Sequence, residues 1–501
     1  MHKYDVVILG SGLGGLLCGA ILGKHGYRVC VLEKNRQIGG CLQTFARDKV
    51  LFDSGVHYIG GLAQGQTLYQ LFKYLGILEY LELEQLDQRC FDKIIFAGDP
   101  KEYRLAQGYD NFKEELLKDF PNEAIAIDRY LEKLQDVCAR FPLYNLRNGE
   151  KTEKDAVLGL DTWEFLNSIT TNNKLKHVLA GNNMLYVGQP KKTPFYVHAL
   201  VQNSYIESSW KCKNGGSQIA KWLARKIVDA GGAVKNRAEV TKIRVHQQQV
   251  QEVLLKDGSS LSGTHYISNI HPCMTIRLLD GDDVRPAYKN RIENLENSIA
   301  GFIVNIVMKP GTFRYFNHNY YYHHSGDAWS GLNYNEDNWP LTYAMFVNEA
   351  GSTGFAESIS LMTYMKYEDV APWQESYNTE DYPTARGAGY EAFKEEKTRL
   401  LLDRVEERFP GFKSKIHNYY TATPLSFRDY IGTSDGSMYG VVKDCNDPMR
   451  TFIAPKTKIK NLFLTGQNLN LHGILGVSMT AVLTSAEFLG LPFLVDEIRN
   501  A

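Results

Sequence analysis

Apolar positions along this chain fall into runs of distinct rhythm. Val6–Leu9 is apolar throughout and stops at Gly10-Ser11-Gly12. A short unbroken apolar run bounded by glycine reads as a strand buried on both faces. From Leu13 a helix-like run follows to about His25. Arg28–Leu32 reads as a second strand and ends on an acid, Glu33. Near the other end, Asn461–Gly476 repeats the pattern as a strand, Thr465-Gly466, and a loop into a helix. Gly473–Leu494 is mostly apolar and long enough to be weighed as a membrane span. Its Gly, Ser and Thr content, Glu487, and its place after a strand favour a buried core helix instead.

The middle of the chain alternates in the same way. Asn214–Ile219 (NGGSQI) leads into an amphipathic helix to about Ala230, with Gly231-Gly232 as its C-cap. Val234–Val245 and Val250–Leu255 read as strands, Asp257-Gly258 as a turn, and Tyr266–Ile270 as a strand before His271-Pro272. Tyr109–Phe120, Asn122–Arg140 and residues 388–408 have helical spacing. Ala300–Met308, Asn319–His323 and Glu357–Tyr364 have the look of sheet strands.

The order strand, Gly10-x-Gly12-x-x-Gly15, helix, strand, acid carries chemistry. Gly10 permits the tight turn out of the strand, Gly12 lets a pyrophosphate approach the backbone, and Gly15 lets the helix pack on the sheet. The N–H groups of Leu13 and Gly14 open that helix, where the dipole favours phosphate. Glu33 can accept hydrogen bonds from a ribose hydroxyl, and its charge disfavours a 2′-phosphate. These residues predict a bound dinucleotide.

The residues just past Glu33 separate the dinucleotides. Lys34 to Gly40 reads KNRQIGG, and the E-K-x-x-x-x-G-G pattern resembles the flavoproteins that include phytoene desaturases, amine oxidases and Rab GDP-dissociation inhibitors. The resemblance implies FAD, with Lys34 at the cofactor and Gly39 and Gly40 passing over its pyrophosphate and ribitol. It implies that Gly466 and Gln467 belong to a second FAD motif. It also implies that the helix start at Gly473, Ile474 and Leu475 points at the pyrimidine end of the flavin, where a helix N-terminus stabilises reduced flavin. The GG–helix–GG–strand–hairpin–SN-x-x-P order of residues 214–272 is similar to the same family, which implies a backbone contact from Ala238–Val240 to adenine.

Phe52-Asp53-Ser54-Gly55-Val56-His57-Tyr58-Ile59-Gly60 and Gly39-Gly40-Cys41 most resemble the all-trans-retinol 13,14-reductase branch, with carotenoid isomerases and phytoene desaturases as near relatives. Two positions depart from desaturases and amine oxidases: Cys41 replaces an arginine, and Gln467 replaces an acid. The expected fold is α/β, a split Rossmann-type, glutathione-reductase-like FAD-binding domain with an inserted α+β substrate domain. The expected boundaries are 1–84, 206–299 and 451–501 for the first and 85–205 and 300–450 for the second.

Reducing a carbon–carbon double bond takes a hydride and a proton, and flavin can supply the hydride. His57 and Tyr58 lie in the loop that the resemblance places beside the flavin, with Gly55 and Val56. His472 precedes the flavin-facing helix. These three are the candidate proton donors. A loop histidine that only satisfies backbone groups is the alternative for His57. Cys41 reads as a small buried side chain near the flavin. His323 and His324 are adjacent and would face opposite sides of a strand, so no metal site is expected.

Composition narrows the picture further. The 501 residues carry a net charge of −1, and no basic patch points to nucleic acid. Eight cysteines form no CxxC pair, and no signal peptide is visible, so reduced thiols and a cytoplasmic location are expected. There is no second GxGxxG unit, so the electron partner is not visible in the sequence. Thirty Tyr and 23 Phe suit an apolar pocket and an ordinary large core equally.

The leading expectation is therefore an FAD-dependent oxidoreductase acting on double bonds of an isoprenoid or polyene lipid, most like a retinol saturase. Such a substrate implies peripheral membrane contact. The alternatives are a carotenoid desaturase or isomerase, a flavin amine oxidase, or a non-catalytic prenyl-lipid escort of the Rab GDP-dissociation inhibitor type.

Overall fold

The computed structural model describes residues 4–150, 152–280 and 284–501. Its first sheet has five parallel strands in the order Ala233–Lys235, Val29–Leu32, Tyr4–Leu9, Gly263–Ser268, Leu462–Leu464. Three distant parts of the chain thus supply one sheet. Its centre is buried on both faces, which explains why Val6–Leu9 and Val29–Leu32 lack alternation.

Helix Leu13–Lys24 is buried on every side as far as Gly23. It packs against helices Ser217–Asp229 and Gly473–Leu489, and their shared apolar cluster includes Leu16, Ile21, Leu223, Ile227 and Val482. Between two such neighbours a helix needs no polar face.

The second sheet has seven strands in the order Ile416–Ala422, Ala300–Met308, Ala356–Met365, Thr342–Glu349, Asn319–His323, Asp92–Phe96, Tyr103–Leu105. All pairs are antiparallel except Asn319–His323 with Asp92–Phe96, which is parallel. The largest apolar cluster joins this sheet to helices Tyr109–Asp119, Ala124–Ala139, Phe195–Glu207 and Ala388–Arg408. In Ala124–Ala139 the buried residues Ile127, Tyr130, Leu131, Leu134 and Cys138 follow helical spacing and give one face to that core. Each fully buried Leu or Ile there contributes roughly 1.5–3 kcal/mol.

Several expected elements end elsewhere for local reasons. The apolar run after Gly473 is two helices, Gly473–Leu489 and Leu491–Arg499, because Gly490 sits at φ 85° and Pro492 comes two residues later. The strand expected over Val234–Val245 is split into Ala233–Lys235 and Val240–His246, since Arg237 lies at φ 52° and interrupts the extended chain. A hairpin, Thr44–Arg47 with Val50–Asp53, was not foreseen. Its turn places Asp48 and Lys49 at φ 51° and 65° without a glycine to mark it. Among the described residues no helix is long and apolar enough to cross a membrane.

Candidate functional site

At the C-terminal edge of the parallel sheet three glycine segments converge. Gly10 turns the chain at φ 91° while its N–H donates to Leu32 O at 2.8 Å. The helix after it starts past Gly12 with no side-chain cap and no acid in its first turn, so Leu13 and Gly14 open a bare helix N-terminus. The space is closed to side chains. A Cβ on Gly14 would lie 2.5 Å from Asn269 Oδ1 and 3.1 Å from the Gly466 Cα. One on Gly15 would lie 2.2 Å from Gly10 O, which is the helix–strand approach expected of that glycine. Gly39 and Gly40 have φ of 115° and 57°, and Gly40 passes close over Gly12.

A polar clip holds these loops together. The N–H and hydroxyl of Ser11 donate to Glu33 Oε2 at 3.1 and 2.6 Å. Asn35 N–H donates to Oε1 at 2.9 Å, and Gly39 N–H donates to Ser11 Oγ at 3.1 Å. Glu33 is thus buried and oriented at the mouth of the glycine loop. Ala238 N–H donates to Glu33 O at 2.7 Å, so the chain leading into Val240 runs alongside the acid. Lys34 turns away, and its ammonium donates to Asp429 O at 2.7 Å. That contact ties helix Pro424–Ile431 to the loop and leaves the phosphate cradle to backbone groups.

The C-terminal motif completes the ring. Gly466 sits at φ 100° with Asn269 against it, and Gln467 Nε2 donates to Met438 O at 3.4 Å. His472 caps helix Gly473–Leu489, again with no side-chain cap bond and no acid in the first turn. Ile474 is buried, and Leu475 bridges the two large apolar clusters. His472 Nε2–H donates to Leu185 O at 2.8 Å, and its ring stacks on Tyr439 at 4.4 Å. Burial lowers its pKa to about 4, so it is neutral near pH 7.

The loop Gly55–Tyr58 lies between Cys41 and the seven-stranded sheet. A Cβ on Gly55 would touch that of Cys41 at 3.3 Å, and Val56 packs beside Gly216. Burial pushes the Cys41 thiol up to about 11, so it is a neutral lining group. The His57 ring lies flat on Phe346, 4.2 Å apart with an interplanar angle of 7°. Its Nε2 is buried without a hydrogen-bond partner, and desolvation lowers its pKa to about 4. The alternative of a loop histidine that satisfies backbone groups does not hold at that nitrogen. Tyr58 instead points into the core, where its hydroxyl donates to Asp92 Oδ2 at 2.9 Å and lies 2.7 Å from the Tyr321 hydroxyl.

Beside Cys41 a cleft of about 850 Å³ opens, lined among others by Gln43, Asp53, Ser54, Asn305 and Phe427. Gly216 N–H donates to Asp53 Oδ1 at 2.7 Å from the start of helix Ser217–Asp229.

The structure therefore gathers Gly10, Gly12, Leu13, Gly14, Gly15, Glu33, Gly39, Gly40 and Gly466 around one space. It keeps Cys41, Gly55, Val56 and His57 together on a neighbouring wall. Asn269 was missed although its motif, Ser268-Asn269-x-x-Pro272, is visible in the sequence. Its amide fills the gap between Gly12, Gly14 and Gly466. Tyr439 lies in the segment Gly432–Gly440, which the resemblance places near the substrate channel, whereas Phe346 and Asp92 come from remote segments with no motif at all. Among the described residues no cluster of His, Cys, Asp or Glu could hold a metal ion.

Several known proteins are similar to this chain. An NAD(P)-binding Rossmann-like domain model matches residues 8–75. The all-trans-retinol 13,14-reductase of Danio rerio is 28% identical over 96% of this chain and 85% of its own. The 4,4′-diaponeurosporene oxygenase of Staphylococcus haemolyticus is 24% identical over 94% of both chains. In fold, cyclohexylamine oxidase from Brevibacterium oxydans aligns with a TM-score of 0.61 at 15% identity, covering 99% of each chain. Over nearly its full length, the chain is thus similar to both the retinol reductases and the carotenoid oxygenases, and this supports the carotenoid desaturase and retinol saturase family.

Proposed function

We propose that this protein is an FAD-dependent oxidoreductase that reduces carbon–carbon double bonds of an apolar isoprenoid or polyene lipid, in the manner of a retinol saturase. The observation that carries the reading is the double cradle: a bare helix N-terminus at Leu13 and a second at Gly473, joined by Gly39, Gly40 and Gly466 with no room for side chains. FAD suits both, its phosphates at the first helix start and its flavin at the second, where a helix N-terminus stabilises the negative charge of the reduced state. When bound, FAD supplies the two-electron hydride chemistry.

The chain's own residues fit that group. Glu33 accepts the ribose hydroxyls, and the N–H groups of Leu13 and Gly14 hold the pyrophosphate. Gly39, Gly40 and Gly466 admit the ribitol. Cys41, Gly55, Val56 and Gln467 line the ring, and the segment entering Val240 meets the adenine. The first turn at Gly473, Ile474 and Leu475 stabilises the negative charge of the reduced state. Residues 1–84, 206–299 and 451–501 make up the FAD-binding unit, and residues 85–205 and 300–450 the substrate unit. His57, with a buried nitrogen lacking any partner, faces the substrate or the ring.

Apolar substrate reaches the cleft beside Cys41 from a membrane surface by peripheral contact. The likeness to a carotenoid oxygenase, over 94% of both chains, favours a second reading in which the same site oxidises a polyene. The two are separated anaerobically. Dithionite-reduced protein mixed with retinol or a carotenoid is expected to regain its oxidised spectrum as polyene absorbance is lost. Oxidised protein bleached by the polyene alone would favour the second reading. Bound flavin indifferent to both in either state would overturn the substrate class.

A further inference from the structure

The strand Ala300–Met308 carries a single polar side chain, Asn305. It runs inside the seven-stranded sheet, between Ala356–Met365 and Ile416–Ala422, and Asn305 is 3% exposed. The Ser360 hydroxyl donates to Asn305 Oδ1 at 2.8 Å. The amide N–H groups of Asn305 make no hydrogen bond among the described residues. A leucine would fill that place without leaving a buried donor unpaired, so the amide calls for a partner that the chain does not supply.

Asn305 lines the cleft beside Cys41, with Ile303 two residues before it on the same face of the strand. The register carries that face across the sheet. Asn305 is paired with Ser360, and Ser360 with Phe346, on whose ring His57 lies. Directly paired residues share a face, so two strand spacings put Asn305 roughly 10 Å from the Phe346–His57 stack. Thr398, on helix Ala388–Arg408, lines the same cleft. It is 1% exposed, and its hydroxyl has no partner either.

The charges of the cleft lie elsewhere and are engaged. Glu380 pairs with Arg36 at 2.6 Å, Glu391 pairs with Lys394 at 2.8 Å, and the Tyr419 hydroxyl donates to Glu395 at 2.6 Å. Along the wall Asp53, Glu380, Glu391 and Glu395 outnumber Arg47 and Lys394, which disfavours a carboxylate ligand. An ammonium offers only donors, as does the free end of Asn305, so the two do not pair. A plain hydrocarbon leaves the donor unpaired. The group that fits is a neutral oxygen, either hydroxyl or carbonyl.

We propose that Asn305 is the specificity-determining residue of this cleft, its amide donating to a neutral hydroxyl or carbonyl oxygen carried by the lipid. The inference deepens the polyene reading of the site and rests on it. An oxygen held at Asn305 fixes how far the chain runs along the Ser360–Phe346 row toward His57. The one contact thus sets which lipid is taken and which double bond is presented. Asn305 moves neither electron nor proton.

The test compares ligands that differ at one group. Retinol, the matching aldehyde, the matching acid and the hydrocarbon with a methyl group in place of the alcohol function are titrated into oxidised, flavin-loaded protein. Binding is read from the flavin spectrum. The alcohol and the aldehyde are expected to bind about tenfold or more tightly than the hydrocarbon and the acid. Asn305→Leu should take alcohol, aldehyde and hydrocarbon alike, with flavin content as the folding control. Asn305→Asp keeps the bond from Ser360 but turns the donor into an acceptor, so it should prefer the matching amine. Equal wild-type affinity for alcohol and hydrocarbon, or an acid that binds best, would overturn the proposal with no variant needed. So would an Asn305→Leu protein that keeps the wild-type preference. If no polyene shifts the spectrum, 1-octanol and octane are compared by calorimetry. A preference for octanol that Asn305→Leu loses would uphold the oxygen site and sink the polyene reading, whereas indifference to the pair would overturn the oxygen site.

Discussion

Around the rim of the five-stranded sheet, the groups that face the site are backbone atoms: Leu13, Gly14, Gly40, Gly466 and the first turn at Gly473. Against the seven-stranded sheet they are side chains: His57, Phe346, Tyr439 and Asn305. The first wall recognises a ligand that varies little, so its geometry is set by where a Cβ cannot fit. The second wall is built of aromatic packing and buried hydrogen bonds that can be re-cut for a new substrate without moving the cofactor. The proposed function puts the chemistry where the two walls meet, between Cys41 and the Gly55–Tyr58 loop.

The largest effect that would break this contrast is expected at Gly14. Gly14→Val places branched carbons onto Asn269 Oδ1, 2.5 Å from the first of them, and onto the Gly466 backbone. Flavin affinity should fall by at least about 100-fold, roughly 2.8 kcal/mol. The protein should purify colourless yet folded by circular dichroism. A yellow variant would show that the glycine wall is not the cradle.

Acid is the next lever, and it acts on the side-chain wall. His57, His472 and His323 fall to about 4, and His198 to about 3, from an ordinary 6.5. A histidine whose folded pKa is depressed adds full stability above its unfolded value. That stability is lost as pH falls from about 6.5 toward 4, because only the unfolded chain takes the proton. Asp92, raised to about 6, works oppositely and gives up stability as pH climbs from about 4 to 6. Asp53, also raised to about 6, adds to the opposing side, but four histidines outweigh two acids, so Tm should drop on the order of 5–10 °C between pH 7 and pH 4.5. Asp92→Asn should steepen the fall. A melting temperature that rises on acidification would contradict the burial of these rings.

Glu33→Gln tests the acidic side chain that serves the backbone wall. It keeps an acceptor for Ser11 and loses the charge that orders three donors. FAD affinity should weaken about tenfold, near 1.4 kcal/mol, by fluorescence titration of the apoprotein. The smallest effect is expected from Phe346→Leu. Losing the stack on His57 should cost about 0.5–1.5 kcal/mol of stability with flavin content intact. Loss of flavin there would mean that the two walls are not separable.

The same contrast explains what could be read from the sequence. Strands such as Ala300–Met308 and Asn319–His323 have the bounds expected of them, because each is a clean apolar or aromatic run. The glycine cradle was legible because its constraint is local: no other residue fits at Gly10, Gly14 or Gly15. Tyr58 was nominated from its place in a motif, yet its partner Asp92 lies 34 positions away and carries no mark of its own. Lys34, next to the ribose acid, was expected at the cofactor, but a carbonyl of a helix 395 positions downstream claims it. The Asp48-Lys49 turn was invisible because non-glycine residues adopt the left-handed conformation only under tertiary constraint.

The most direct measurement of the account is to release and identify the nucleotide carried by the purified protein. Denatured protein is expected to yield stoichiometric FAD, and the native protein to show a flavin spectrum that dithionite bleaches. A colourless protein that carries NAD(P), or no nucleotide even when refolded with FAD, would contradict the double cradle and the function built on it.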